Sequence, residues 1–317
     1  MQPLILALDF GGTKLSAAMT TAGSQHWLAH RRVFTPTDAD GAFEYQTMLK
    51  MAHELIAETG KPAAIGVSFG GPVDATRGLV RLSHHVPGWE NTPLAENLRA
   101  EFGVPVAIEN DANVAALGEY RFGAGKNSDP LLYLTVSTGI GGGWILGGKI
   151  YGGADGMAGE IGHTVVNPGG VPCVCGKRGC VEAEASGTAI AHRARRMIDA
   201  NVADGMEMLA LLAVSAHEIT AADVSRAAAQ GNLLARQILT DSARFLGQGI
   251  GNAINLMNPK RVILGGGVTK AGDRWWNVVR YAARQYALPE IPVDIVPAAL
   301  GDDAPLWGAV ALAGGDA

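Results

Sequence analysis

Residues 4–14 read Leu-Ile-Leu-Ala-Leu-Asp-Phe-Gly-Gly-Thr-Lys. The apolar run predicts a buried strand, and the two glycines after Asp9 predict a tight turn into a second strand. The pattern returns at residues 131–143, where an apolar run leads into Ser-Thr-Gly-Ile-Gly-Gly-Gly. Two halves that each open with a buried strand, a glycine-rich turn and another strand predict a duplicated α/β architecture.

The spacing of apolar residues predicts alternating strands and helices in both halves. The boundary between the halves is expected within residues 123–130, where Gly, Asn, Ser and Pro cluster. The predicted strands are residues 4–10, 14–22, 26–34, 63–69, 106–109, 131–136, a segment ending at 146, 261–264 and 293–297. The predicted helices are residues 41–59, 93–102, 111–122, most of 187–258, 272–287 and a last one from about 304.

Composition and charge exclude several classes of protein. The chain of 317 residues has a net charge of −5, and its densest basic cluster (Arg193, Arg195 and Arg196) is interpreted as the solvated face of a helix, so no nucleic-acid partner is expected. No apolar run is long enough to span a membrane, and residues 1–9 lack the features of a signal peptide. We therefore expect a cytoplasmic protein with reduced thiols and no membrane partner.

Three glycine-rich turns follow three apolar strands, at residues 9–14, 137–143 and 265–268. Glycine lets backbone N–H groups approach a phosphate closely, because no Cβ stands in the way. The sequence contains neither a P-loop nor a G-x-G-x-x-G turn that opens a helix. One such turn alone is best explained as a tight hairpin, whereas three favour nucleotide binding. Asp9 is predicted to hold Mg²⁺ beside the phosphates; its alternative role is to cap the turn.

All three cysteines lie within eight residues, and His163 precedes the first of them by ten positions. Three thiolates and one imidazole fill a tetrahedral zinc site, and a filled site is structural rather than Lewis-acidic. The alternatives are three reduced cysteines that bind nothing, or a redox centre. A metal-bound His163 can also donate its other ring N–H to a substrate hydroxyl. The zinc is predicted to hold the neighbouring polar side chains in place, namely Glu160, His163 and Glu182.

The sequence resembles the ROK family of bacterial sugar kinases and repressors over essentially the whole chain, and within it the ATP-dependent glucokinases. The resemblance implies an α/β fold of the actin-like ATPase (ribonuclease H-like) class, with two domains that flank a cleft. The small domain is expected to be residues 1–122 plus a C-terminal helix at about 304–317, and the larger one, with the zinc site, residues 123–303. The resemblance rests on residues 8–14, 70–73, 87–89, 109–113, 137–143, 159–163 and 173–182.

The resemblance also implies roles for individual residues. Asp111 matches the catalytic base that takes the proton from the 6-hydroxyl of the sugar. The implied substrate-binding residues are Gly71, Asn110, Asp111, Glu160, His163 and Glu182. The implied nucleotide-binding residues are Asp9, Gly11, Gly12, Thr13, Lys14, Thr138, Gly139, Gly265 and Gly266. The implied zinc ligands are His163, Cys173, Cys175 and Cys180. The implied cofactors are ATP, Mg²⁺ and structural Zn²⁺, and the implied assembly is a homo-oligomer, a dimer or a tetramer.

The leading hypothesis is an ATP-dependent kinase (EC 2.7.1 class) that phosphorylates the 6-hydroxyl of glucose for glycolysis. The same residues suit N-acetylmannosamine, fructose, mannose or allose. A sugar-responsive repressor needs a DNA-reading module before the first strand, and that strand is expected to begin at Leu4. A non-catalytic sugar-binding protein predicts the loss of Asp111 or of a glycine turn. Exposed-loop positions are expected for His84 and His85, with lining of the sugar site as the alternative, and a surface or helix-start position is expected for Glu184.

Overall fold

The computed structural model describes residues 2–83, 85–200 and 202–315, which fold into strands and helices. His84 lies outside the described residues. The strands are β1 (Leu4–Phe10), β2 (Lys14–Thr21), β3 (Ala29–Phe34), β4 (Ala64–Phe69), β5 (Val73–Asp74), β6 (Leu79–Val80), β7 (Val106–Asn110), β8 (Leu131–Val136), β9 (Ile140–Leu146), β10 (Lys149–Ile150), β11 (Arg261–Gly265) and β12 (Ile295–Pro297). The helices are α1 (Gly41–Thr59), α2 (Leu94–Phe102), α3 (Asp111–Phe122), α4 (Val181–Ala185), α5 (Gly187–Ala200), α6 (Val202–Leu212), α7 (Ala221–Ala229), α8 (Leu233–Met257), α9 (Asp273–Tyr286) and α10 (Ala304–Ala313).

The first five-stranded sheet has the order β3-β2-β1-β4-β7. Strands β1 and β2 pair antiparallel across the first glycine turn, whereas β1, β4 and β7 are parallel. In this register Asp9 lies beside Ser68, and Phe69 lies beside Asn110. Because parallel strands end at the same edge of a sheet, the turn after β1 and the start of α3 after β7 lie at one edge.

The core beside this sheet is aromatic near the edge that carries the turn. Trp89 is 1% exposed, and its ring packs edge-on against Phe10 and Phe69, with centroid distances of 5.4 and 5.1 Å. On β4, a Cβ placed on Gly66 would lie 1.8 Å from the carbonyl oxygen of Ala309 in α10. Only glycine therefore allows α10 to pack this closely on β4.

The second five-stranded sheet has the order β10-β9-β8-β11-β12. Strands β9 and β10 pair antiparallel, and β11 and β12 pair parallel. Helix α8 packs along α9 through glycines: a Cβ on Gly247 would lie 2.5 Å from the carbonyl oxygen of Val279. The small residues allow the two helix backbones to approach each other closely.

The chain divides into two compact units. The first contains Met1–Tyr133, Gly143–Ala158 and Ala298–Ala317, and the second contains Leu134–Gly142 and Gly159–Pro297. The domain limits expected from the sequence stay a prediction. Most predicted elements are found within a few residues of their expected bounds, and helix α1 has the bounds predicted for it. Within the described ranges, none of the helices combines the length and the apolar character needed to cross a membrane.

Candidate active site

The first glycine turn joins β1 to β2 and holds a buried carboxylate at its start. The backbone N–H of Gly11 donates to the carbonyl oxygen of Lys14 at 3.1 Å and closes the turn. Asp9 is 4% exposed, and the Ser68 hydroxyl donates to its Oδ1 at 2.8 Å. The sequence did not indicate the Ser68 contact, because it depends on the pairing of β1 with β4.

Burial raises the pKa of Asp9 to about 7, because a charged carboxylate is poorly solvated inside the sheet. The Ser68 hydrogen bond opposes this shift, and the nearby Asp111 carboxylate adds to it. A cation at the turn would favour the ionised form. The position therefore fits the role expected from the sequence, a carboxylate beside Mg²⁺ and phosphate.

The raised pKa predicts that Asp9→Asn stabilises the protein in a pH-dependent way. Between the pKa of the unfolded chain and about 7, the folded protein keeps a proton on Asp9 that the unfolded chain releases. Stability therefore falls as the pH rises through this window. The variant should have a higher Tm than the parent protein, by an amount that grows from about pH 5 to about pH 8. Thermal unfolding without nucleotide or Mg²⁺ measures this.

Asp74→Asn is the control of opposite sign. The Thr76 hydroxyl and the Arg77 backbone N–H donate to the Asp74 carboxylate and lower its pKa. Removing that carboxylate should cost stability above its pKa rather than add to it. An Asp9→Asn gain in Tm that is the same at about pH 5 and about pH 8 would contradict the assignment of the titration to Asp9.

His85 lies against the same turn. A Cβ on Gly12 would lie 2.7 Å from two ring carbons of His85, so the imidazole packs directly on the Gly12 backbone. The side chain is otherwise exposed, as expected for a loop histidine. Gly12 therefore allows the close packing of this loop on the turn.

Asn110 and Asp111 lie where β7 becomes α3. The Asn110 Oδ1 accepts from the backbone N–H groups of Ala112 and Asn113, at 3.0 and 3.4 Å, and so caps the helix. Its Nδ2 donates to the carbonyl oxygen of Gly71 and to Asp111 Oδ1, both at 3.1 Å. Asn110 and Gly71 thus orient the Asp111 carboxylate, which the helix N-terminus favours in its ionised form.

The second unit contains the cysteine and histidine side chains. Candidate ligand atoms from His163, Cys173, Cys175 and Cys180 all lie within 4.8 Å of one another. The sulfurs of Cys175 and Cys180 are 3.6 Å apart, and His163 Nδ1 is 3.6 Å from the sulfur of Cys173. A tetrahedral zinc with ordinary bond lengths requires about 3.8 Å between sulfurs and about 3.5 Å between sulfur and nitrogen. The four side chains therefore fit that ion.

Two of the three clustered thiols do not ionise readily without a cation. Burial raises the pKa of Cys180 to about 12 and also raises the pKa of Cys173. Cys175 is exposed, and the backbone N–H of Lys177 lowers the pKa of its thiol to about 7. A metal ion would favour the thiolate form of all three because it binds that form. On the far side of the His163 ring, Nε2 is 3.9 Å from Glu160 Oε2. One ring nitrogen thus faces the Cys173 thiol and the other faces a carboxylate, which is the usual arrangement of a metal-ligating histidine and its outer-shell partner.

Glu182 lies against the turn between β8 and β9. Its Oε2 accepts from the backbone N–H of Ile140 at 2.9 Å. A Cβ on Gly139 would lie 2.5 Å from the same oxygen. Glu182, predicted to bind sugar, and Gly139, predicted to bind nucleotide, are therefore in direct contact, and the glycine makes the contact possible.

This contact predicts the effect of Gly139→Ala. The new methyl group should push the Glu182 carboxylate away from Ile140 and remove a charge-assisted hydrogen bond, so kcat/KM for the sugar should fall by about tenfold. Steady-state kinetics with varied sugar measures this. Gly152→Ala is the control, because a Cβ there would make only an ordinary 3.4 Å contact. Equal kinetics in the two variants would contradict the proposed packing.

A cavity of about 810 Å³ opens beside the two other glycine turns. The N-terminus of α5 borders it: the backbone N–H of Gly187 donates to Ser137 and that of Thr188 to Thr138, at 2.7 and 3.3 Å. Of the predicted nucleotide residues in this unit, Thr138 lines the cavity, Gly139 and Gly266 are adjacent in sequence to lining residues, and Gly265 is two positions from the lining residue Gly267. Lining residues that the sequence did not indicate include Thr188, His192, Arg195, Thr220, Ser225 and Lys270.

Two sequence-based expectations in this region were wrong in part. Arg196 of the arginine cluster is exposed, as expected. The other two are not solvated: the Arg193 side chain is only 12% exposed, and Arg195 lines the cavity and donates to the carbonyl oxygen of Ile219. Glu184 lies in the first turn of α4, as the helix-start alternative predicted, but it is not a surface carboxylate, since it is 2% exposed and pairs with Arg193. Its burial depends on packing between α4, α5 and the segment before the cysteines, which a local sequence pattern does not reveal.

Comparison with known proteins gives a consistent result. The sequence profile described as "ROK family" matches residues 5–315. A glucokinase of Halalkalibacterium halodurans is 36% identical, over 96% of this chain and 92% of that protein. An N-acetylmannosamine kinase of Shigella flexneri is 33% identical, over 98% and 99%. The crystal structure of a ROK family glucokinase from Streptomyces griseus with glucose and AMPPNP superposes with a TM-score of 0.82 at 33% identity, covering 98% of this chain and 99% of that one.

Proposed function

The chain belongs to the ROK family, and from this premise we propose that it is an ATP-dependent kinase that phosphorylates the 6-hydroxyl of glucose. It is a sugar kinase, a phosphotransferase of class 2.7.1, with the α/β fold of actin-like ATPases. The predicted family, fold class and reaction are thereby confirmed. The roles of individual residues, the zinc, the oligomeric state and the cytoplasmic location are proposals.

One observation supports the reaction most directly: a nucleotide-type turn and an oriented carboxylate lie at the same edge of one sheet. Asp9 ends β1 beside Ser68, and Asp111 follows β7, whose last residue Asn110 pairs with Phe69. The charge of Asp111 raises the pKa of Asp9, so the two carboxylates lie within electrostatic reach of each other. Phosphoryl transfer requires such a pair, one group near the phosphates and one near the attacking hydroxyl.

In the proposed mechanism, Asp111 orients the sugar hydroxyl and accepts its proton. The hydroxyl oxygen forms a bond to the γ-phosphorus of ATP while the bond from that phosphorus to the β–γ bridging oxygen breaks, and ADP leaves with the bridging oxygen. Asn110 holds the Asp111 carboxylate through the 3.1 Å hydrogen bond from its Nδ2, which limits the rotation of that carboxylate. The Gly11 N–H closes the turn on Lys14, so the Gly12 backbone N–H is the group assigned to a phosphate oxygen, and Lys14 adds a positive charge. Asp9 would hold a Mg²⁺ ion at the turn, which would supply neutralisation of the phosphate charge.

The remaining sugar hydroxyls are assigned to Glu160, His163 and Glu182, whose oxygens and ring nitrogen suit bidentate hydrogen bonding. The zinc is assigned to His163 and the three cysteines, with a structural role. In support of both assignments, His163 presents Nδ1 to the thiols and Nε2 to Glu160. No open coordination position remains for a catalytic water.

The nucleotide base and ribose are assigned to the cavity beside α5. Its lining is largely apolar and includes polar side chains such as Thr188 and His192, which suits a purine and a ribose. The N-terminus of α5 lies beside Thr138, since the Thr188 N–H donates to the Thr138 carbonyl oxygen at 3.3 Å, and the positive end of the α5 dipole would favour the negative charge of the nucleotide. This assignment adds His192 and Arg195 to the residues predicted from the sequence.

The experiment that tests the proposal is a coupled assay of ADP release with ATP and a panel of sugars: glucose, N-acetylmannosamine, fructose, mannose and allose. We expect glucose to have the highest kcat/KM. The second candidate is N-acetylmannosamine, because a relative of that activity matches over nearly the full chain. Turnover with N-acetylmannosamine but not with glucose would mean that N-acetylmannosamine is the substrate. The absence of turnover with any of the sugars would refute the proposed kinase activity.

A further inference from the structure

Glu184 is a buried carboxylate that the proposed reaction does not use. It lies on α4, two residues after Glu182, and is 2% exposed. Its Oε1 accepts from Asn167 Nδ2 at 3.0 Å and from the backbone N–H of Val171 at 3.2 Å, and its Oε2 accepts from Arg193 at 2.5 Å. A buried carboxylate with three donors is fully satisfied, which indicates a specific structural task.

The partners of Glu184 lie on two separate elements. Asn167 and Val171 precede the cysteines, in the segment that we call the metal loop (residues 164–180), whereas Arg193 lies on α5. The metal loop is closed on itself, since Gly179 donates to the carbonyl oxygen of Val171 and accepts from the N–H of Asn167, at 2.8 and 3.0 Å. Glu184 is thus a direct polar link between this closed loop and α5.

The packing around the link leaves no free space. A Cβ on Gly170 would lie 2.0 Å from Glu184 Oε1, and a Cβ on Gly179 would lie 1.5 Å from the carbonyl oxygen of Asn167. The neighbouring Gly169 is different, because a Cβ there would meet nothing within 4 Å. The chain therefore offers a matched pair of adjacent glycines, one in contact with Glu184 and one in open space.

Arg193 is partly buried, with 12% of its side chain exposed. Its guanidinium lies over the Phe245 ring at 5.4 Å, and its nearest other carboxylate, Asp241, is 3.9 Å away. Breaking a buried ion pair from one side leaves an uncompensated charge, which costs far more than the pair contributes when intact. Glu184 should therefore hold the metal loop and α5 in a single relative arrangement.

We propose that Glu184 is a positioning residue that fixes the metal loop against α5, so that the cysteines and His163 keep their geometry. This inference rests on the proposed function, since it assumes that the loop binds zinc and that His163 binds the sugar. Glu184 acts through the loop and touches neither ligand. Glutamine keeps an acceptor for Asn167 and Val171, but it turns an N–H₂ group toward the Arg193 donors.

The test compares Glu184→Gln and Gly170→Ala with Gly169→Ala. In competition with a chelator, the first two variants should bind zinc with an apparent affinity roughly tenfold weaker than that of the parent protein. Their KM for the sugar should rise, while kcat changes little. Gly169→Ala should behave like the parent protein in both measurements. Arg193→Lys, which keeps the charge but not the planar fork, should give a smaller change in the same direction. All measurements are made well below the lowest Tm of the set.

Zinc affinity and KM in Glu184→Gln and Gly170→Ala that equal those of Gly169→Ala would overturn the inference, even if both variants had a lower Tm. If Glu184→Gln does not fold, Gly170→Ala and Arg193→Lys decide the same question. Zinc content and turnover of the parent protein are measured alongside. Their absence would refute the proposed function itself, and that result is distinguishable from a failure confined to the variants.

Discussion

Asp111→Asn is expected to lower kcat by about 10²–10⁴-fold while the affinity for glucose changes little. Asparagine has nearly the same shape and can still accept hydrogen bonds from Ala112 and Asn110, which donate to Asp111 at 2.8 and 3.1 Å. It cannot take a proton from the sugar hydroxyl at neutral pH. The loss should therefore appear in kcat rather than in binding. Single-turnover kinetics and calorimetric titration with glucose measure the two effects separately.

The control must show that the fall in kcat does not result simply from removing a negative charge at a helix N-terminus. Glu96 is an exposed acidic residue in the first turn of α2, and Glu96→Gln should leave kcat unchanged. Substantial turnover in Asp111→Asn would end its assignment as the base and leave it as a helix-capping residue. A parallel loss of glucose affinity would instead place Asp111 mainly in substrate binding.

Cys180→Ser is expected to reduce the zinc content from about one ion per chain to near zero, and to lower kcat/KM for glucose by at least about 100-fold. Cys180 is completely buried, and serine is a poor zinc ligand, so the three remaining side chains would hold the ion weakly. Binding of structural zinc contributes on the order of 10 kcal/mol to folding in small domains. Its loss should therefore release the metal loop, and with it His163. Elemental analysis and kinetics measure the two effects.

Val174→Ser is the matched control for this variant. Val174 lies between two of the cysteines, yet its side chain is 93% exposed. The change introduces the same residue into the same loop without touching the cluster, so metal content and activity should be retained. A parent protein that contains no zinc but has full kinase activity would contradict the proposed site. If a chelator inactivated the parent protein while the Cys180→Ser variant remained active, the chelator would be removing a metal ion from a different site.

Local sequence patterns were sufficient to predict most elements. Helix α1 has Asp40 as its cap, Met48, Met51 and Leu55 on its buried side and Gly60 at its end, so its signals all lie within one short segment. The glycine turns and the cysteine cluster were predictable for the same reason. Their residues are close in sequence, and the chemistry of phosphate and zinc requires that composition.

Contacts between distant segments were not predictable in this way. The hydrogen bond from Ser68 to Asp9 joins positions that are 59 residues apart, and nothing near either residue signals it. The cavity beside α5 draws its lining from segments that begin at Ser137 and end at Gly272. The raised pKa of Asp9 likewise depends on burial within a sheet. The sequence identified Asp9 as important, but it could not indicate that this carboxylate is poorly solvated.

By itself, the sequence determined the family, the order of the elements, the four candidate zinc ligands and the carboxylate at the start of α3. Each of these features depends on residues that are close together in the sequence. The tertiary structure decided which of the remaining charges are buried. Glu184 and Arg193 looked like surface residues, yet they form a buried pair at 2.5 Å. Whether a charge is solvated depends on what other parts of the chain pack over it, and local sequence carries little information about that packing.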